Sequence, residues 1–152
     1  MGCIRHLHQG PTRMIAAFYK GTRPGLQGIA NRAIRFVDRG EYSHCELIFS
    51  DGISASSSLM DGGVRFKEIH FKPEHWDFVD LPEDETAARR WFTIHAGQKY
   101  DIWGDARFII GLARHSNDRW FCSEAMAEAL GIPESWRFGP NGLASILRWR
   151  IK

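Results

Sequence analysis

Between Tyr42 and Leu81 turn residues cut the chain into short strand-like pieces. Tyr42–Phe49 runs into Ser50-Asp51-Gly52, a turn, and Ile53–Ser58 follows as the second arm of a hairpin. Gly62-Gly63 is another turn. Val64–Ile69 then alternates polar and apolar residues, as a strand with one buried face does. Trp76–Leu81 is a further strand, ended by Pro82.

The flanks have a different period. Met14–Tyr19 reads as a short buried strand, and Gly21–Gly25 breaks it. From Leu26 the apolar residues Ile29, Ala30, Ala33, Ile34 and Val37 recur at helical spacing, with Gly40 expected to close the helix. After Pro82 the pattern is helical again over Glu83–Ala96, Asp101–Ala113 and Phe121–Leu130, the last stopped by Gly131 and Pro133. A short helix is expected over Gly142–Leu147. Strands grouped together and helices grouped together predict an α+β fold, and the length of 152 residues predicts a single domain over 1–152.

The net charge of +2 is too small, and the arginines too scattered, for a nucleic-acid surface. The apolar runs fall short of the ~18 residues that span a bilayer, so no integral membrane segment is expected. The N-terminus lacks the apolar core of a signal peptide, which makes the cytoplasm the expected compartment. Cys3, Cys45 and Cys122 are too few and too irregularly spaced for a disulfide framework. They suit a reducing setting in which one thiol can act as a nucleophile. Cys3, His6 and His8 lack a fourth ligand, so no metal is expected.

Strand parity separates the cysteines. In Tyr42–Phe49 one face carries Cys45, Leu47 and Phe49, and the other carries Tyr42, His44, Glu46 and Ile48. That puts Cys45 in the core, where a thiol has a raised pKa and is inert. Cys122 falls in the first turn of the helix beginning near Phe121. Free N–H groups and the helix dipole favour a thiolate there, and could also hold an oxyanion on a substrate.

Ser43-His44 on a strand, Gly97-Gln98-Lys99-Tyr100-Asp101 ahead of a helix, and Phe121-Cys122-Ser123-Glu124 opening another form an ordered set. That set resembles the circularly permuted papain-like hydrolases of the NlpC superfamily, particularly the YiiX-like group. Lecithin:retinol acyltransferase looks like a more distant relative. The resemblance covers roughly Met14 to Gly131. It implies a small antiparallel sheet packed against helices, with His first and Cys last along the chain. It also implies acyl chemistry at an amide, ester or thioester bond, with no cofactor. Carried onto this chain, Cys122 is the nucleophile and His44 the base. Tyr100 is placed beside the substrate, and Asp101 is expected as a helix cap.

The third position departs from that pattern. A three-residue loop with Gly52 left-handed pairs Phe49 with Ile53, which sets Glu46 opposite Ser56 and His44 opposite Ser58. A two-residue turn brings up Ser57 instead. The candidates to orient His44 are therefore a serine of 54–58, Ser56 foremost, and Glu46 on the His44 face. The expected activity is hydrolysis of an amide or related acyl bond, on a small peptide, a peptidoglycan fragment or a lipid-like substrate. An acyltransferase, or a catalytically silent binder of a peptide, glycan or lipid, uses the same groove.

Overall fold

The computed structural model describes residues 13–22, 24–100 and 119–152. They form a mixed α+β fold built on one seven-stranded sheet with four helices. The strands are β1 (Met14–Tyr19), β2 (His44–Ile48), β3 (Ile53–Ser58), β4 (Gly63–Glu68), β5 (Trp76–Leu81), β6 (Lys99–Tyr100) and β7 (Arg119–Trp120). Their order across the sheet is β5-β1-β2-β3-β4-β6-β7. The helices are α1 (Leu26–Val37), α2 (Glu85–His95), α3 (Cys122–Ala129) and α4 (Pro140–Arg150). The helix expected over Asp101–Ala113, with Asp101 as its cap, lies outside the described residues, as do Cys3, His6 and His8.

The sheet is larger than expected, and it is not wholly antiparallel. β6 and β7 pair in parallel, Lys99 with Arg119 and Tyr100 with Trp120. Each is two residues long, too short to leave a periodic signal. The hairpin at Asp51-Gly52 takes the three-residue loop. Phe49 N–H donates to Ile53 O at 2.9 Å, and Gly52 has φ of 85°. Glycine adopts that backbone without steric cost.

One face of the sheet holds the main core. Met14, Ala16, Phe18, Cys45, Leu47, Ala55 and Val64 pack there against Phe92 of α2, Met126 of α3 and Leu143 of α4. The opposite face is covered near β1 and β5 by a smaller cluster of Ala17, Tyr19, Phe71 and Trp76. Two-sided cover explains why every residue of β1 is buried.

Helix boundaries moved for local reasons. Asp84 caps α2 by accepting from Thr86 N–H at 3.2 Å, so that helix starts after the expected Glu83. Arg39, not Gly40, takes the left-handed turn after α1, with φ of 50°. Gly40 N–H then donates back to Arg35 O at 3.1 Å. Gly40 is small for another reason: a Cβ would lie 2.2 Å from the Asn141 side chain. Helix α4 runs longer than expected because its N-terminus is capped from a distance. Asp38 accepts from Asn141 N–H at 2.7 Å.

Candidate active site

The site forms where the β2–β3 ladder opens. Phe49 and Ile53 are a hydrogen-bonded pair, so the alternation of an antiparallel ladder makes 47/55 and 45/57 the next two. Pairing extends as far as Leu47 with Ala55. At the next position the backbone of Cys45 turns to other partners. Its N–H donates to the Cys122 sulfur. Its carbonyl accepts the Ser56 hydroxyl at 2.7 Å. Ser57, freed from that ladder, donates its hydroxyl to Trp120 O at 2.6 Å, just ahead of Cys122. Helix α3 thus enters the sheet at a gap, with Cys122 as its first residue.

His44 lies at the start of β2, with its ring beside Cys122, close enough for each to shift the other's titration. The ring Nε2 donates to Glu46 Oε1 at 2.7 Å. Since Nε2 is taken, Nδ1 is the nitrogen left for the thiol. Burial alone pushes the His44 pKa down. The Cys122 charge and hydrogen bond, together with Glu46, outweigh it and raise the value to about 9. Cys122 is held well below the ordinary thiol range, first by a hydrogen bond from the Cys45 thiol and then, against burial, by the charge and hydrogen bond of His44. Both shifts favour the thiolate–imidazolium form of the pair.

Glu46 is 1% exposed. Burying a lone carboxylate costs several kcal/mol. Here Arg65 of β4 binds it in a fork, Nη1 to Oε2 at 2.7 Å and Nη2 to Oε1 at 2.5 Å. Burial works to raise the Glu46 pKa, but the hydrogen bonds of Arg65 and His44 carry it below the usual carboxylate range. Arg65 is held in turn by Asp61, through Nε at 2.8 Å. A charged chain thus runs Cys122–His44–Glu46–Arg65–Asp61.

Of the two candidates for orienting His44, Glu46 makes the contact. Ser56 does not: its hydroxyl is directed at the backbone carbonyls of Cys45 and Ser57, and the ring Nε2 is already on Glu46. The expectation for Ser56 is corrected accordingly. Register did place Ser56 on the Glu46 face, but the open ladder left it a nearer acceptor. Tyr42 also departs from parity. It lies before β2 begins, is 3% exposed, and packs against Phe18 at 5.3 Å between ring centroids.

Asn141 was not singled out in the sequence. Its side chain accepts from Tyr42 N–H at 2.9 Å and donates to Tyr42 O at 3.0 Å, clamping the backbone two residues before His44. It also donates to Asp38 at 2.6 Å. Cys45 was expected in the core, where it lies at 0% exposure. Burial, then the hydrogen bond and charge of Cys122, push its thiol well up. Its contact with the Cys122 sulfur was not foreseen. No sequence signal marks either contact, because both cross between elements far apart in the chain.

A cavity of about 450 Å³ opens beside His44 and Glu46. Tyr100, the expected substrate-side residue, lines it, along with Ile34, Met60 and Trp76. Ser43 Oγ and Asn31 Nδ2, both on its wall, are buried and have no hydrogen-bond partner among the described residues. Cys122 is 4% exposed and is not among the described residues that line this space. Trp120 is 4% exposed and packs edge-on against Trp91 in the core. Among the described residues no group of three or more His, Cys, Asp or Glu side chains could hold a metal ion. Nor is any helix among them long and apolar enough to cross a membrane. No family model matches the chain, and no curated protein matches it.

Proposed function

We propose that the chain is a cysteine hydrolase of the permuted papain-like kind, acting on an amide or related acyl bond. The observation that carries this reading is the series Cys122–His44–Glu46, with the carboxylate buried and locked by Arg65. A helix-start thiolate against an imidazolium, itself backed by a fixed anion, is the arrangement nucleophilic acyl transfer needs. The His-then-Cys order and the resemblance in the three motifs point the same way.

The Cys122 thiolate attacks the substrate carbonyl carbon. Backbone N–H groups at the start of α3 face the oxygen on which negative charge builds. The His44 imidazolium gives its proton to the leaving amine, and an acyl-enzyme remains. His44, now neutral, takes a proton from water, which attacks the thioester and releases the acid. Glu46 fixes the ring orientation and favours the charged ring without leaving its Arg65 fork. The Ser43 hydroxyl and Asn31 amide, without partners among the described residues, suit a polar group on the bound substrate.

The test is a thiol-directed acyl or chloromethylketone probe. Labelling at neutral pH is expected on Cys122 and is expected to be lost in Cys122→Ala. His44→Ala should slow it by about 10²–10⁴-fold. If Cys122 reacts no faster than free cysteine, the hydrolase reading fails. The near-complete cover of Cys122 favours a second reading, a silent binder of a peptide, glycan or lipid in the His44 cavity. That reading expects ligand affinity to survive Cys122→Ala with no turnover in the parent chain.

A further inference from the structure

The two described cysteines meet. Cys45, on the core side of β2, and Cys122, at the head of α3, are both free thiols in one buried cluster at the open end of the β2–β3 ladder, and each shifts the other's titration. The Cys45 backbone N–H also points at the Cys122 sulfur. We propose that this pair is an oxidation site for a hydroperoxide, with Cys122 the attacking thiol and Cys45 the resolving one. The proposal uses the same Cys122 thiolate as the hydrolase reading but does not require hydrolysis.

The first step is attack of the Cys122 thiolate on one peroxide oxygen. An S–O bond forms and the O–O bond breaks. The departing alkoxide or hydroxide takes the proton held by the His44 imidazolium. Sulfur is oxidised to the sulfenic acid, and the peroxide is reduced to an alcohol or water. In the second step the Cys45 sulfur attacks the Cys122 sulfur. An S–S bond forms, the S–O bond breaks, and hydroxide leaves with the Cys45 proton as water. Closing to the bonded distance of about 2.05 Å requires the two side chains to move together from their non-bonded positions.

The surroundings favour this order. Cys122 is the thiol held low and keeps 4% exposure, whereas Cys45 is held high and is fully buried. A thiol adjacent to a sulfenic acid captures it faster than a second peroxide can be expected to arrive. Part of what keeps Cys45 protonated is the Cys122 charge, and the neutral sulfenic acid removes that part. The disulfide consumes the nucleophile, so any acyl chemistry at Cys122 stops until a dithiol restores it.

The experiment treats the full chain with hydrogen peroxide and follows intact mass and non-reduced peptide maps. The parent chain should lose two hydrogens and give a peptide linking Cys45 to Cys122, reversed by dithiothreitol. Cys3→Ser should behave the same way, which excludes the third cysteine. Cys45→Ala and Cys45→Ser should instead gain one, then two or three oxygens at Cys122, with the first species trapped by dimedone. Oxygen gain in the parent chain without the linked peptide overturns the proposal, as does a link made through Cys3 or no change of mass. A linked peptide in a chain that hydrolyses nothing sinks only the hydrolase reading. Rapid probe labelling of Cys122 without the link sinks only this proposal.

Discussion

Glu46 and Ser56 each lie one residue beyond the last β2–β3 pair, yet only Glu46 reaches His44. The carboxylate contributes charge as well as a hydrogen bond, and His44 sits at about 9 partly because of it. In the proposed hydrolase, a raised imidazolium pKa means that the proton donor to the leaving group is intact below that value and lost above it. Catalytic efficiency should therefore rise with pH as Cys122 ionises and fall again near pH 9. In Glu46→Gln the falling limb should move to lower pH, read from a kcat/KM profile. Ser56→Ala should leave that profile in place and cost about 1–2 kcal/mol of stability, measured by denaturant unfolding, because it strips a buried carbonyl of its donor. A shifted limb in Ser56→Ala, with none in Glu46→Gln, would reverse the assignment.

At the scale of elements, the site depends on how β2 is held at both ends. Its C-terminal end is fixed by the hairpin at Gly52. Its N-terminal end is fixed by Asn141, which clamps Tyr42 and is itself anchored by Asp38 beyond the end of α1. One asparagine thus ties α1, β2 and α4 together. Asn141→Ala should destabilise the fold by about 2–4 kcal/mol, since it leaves several buried polar groups unpaired. In the fraction that remains folded, kcat should fall more than KM rises, because the loss acts on where His44 sits. Equal loss in a His44→Ala background would show that Asn141 acts only on stability. Arg65→Met is a harsher change, since it strands the Glu46 carboxylate. A cost of about 3–5 kcal/mol is expected in the same unfolding assay.

Across the whole molecule, charged side chains on β2 and β4 and in the turn between β3 and β4 make stability depend on acid. The Glu46 pKa is lowered against its burial by Arg65 and His44, and Asp61, opposed by burial but paired with Lys67 and Arg65, is carried down to about 2. A carboxylate whose folded pKa is depressed adds stability above its unfolded value and loses it as pH falls through the folded one. The melting temperature should therefore drop as pH falls below the unfolded value of 4.5 for Glu46, and continue to drop toward about 2 as Asp61 protonates. Asp61→Asn should flatten the lower part of that decline in a calorimetric pH series. By itself the sequence determined the α+β class, the span of β1, the place of the hairpin turn at Ser50–Gly52, the burial of Cys45 and a helix starting close to Cys122. Those features follow from alternation, helical period, glycine at a left-handed turn and the dipole of a helix end, all read over a few neighbouring residues. Only the tertiary structure decided the rest: the two-residue strands β6 and β7, the Asp38 cap on α4, Arg65 beneath Glu46, and the meeting of Cys45 with Cys122. Each joins residues that are distant in the chain and makes a contact of one or two side chains. A contact of that size leaves no period in the sequence, and it exists only where the open end of the β2–β3 ladder brings its partners together.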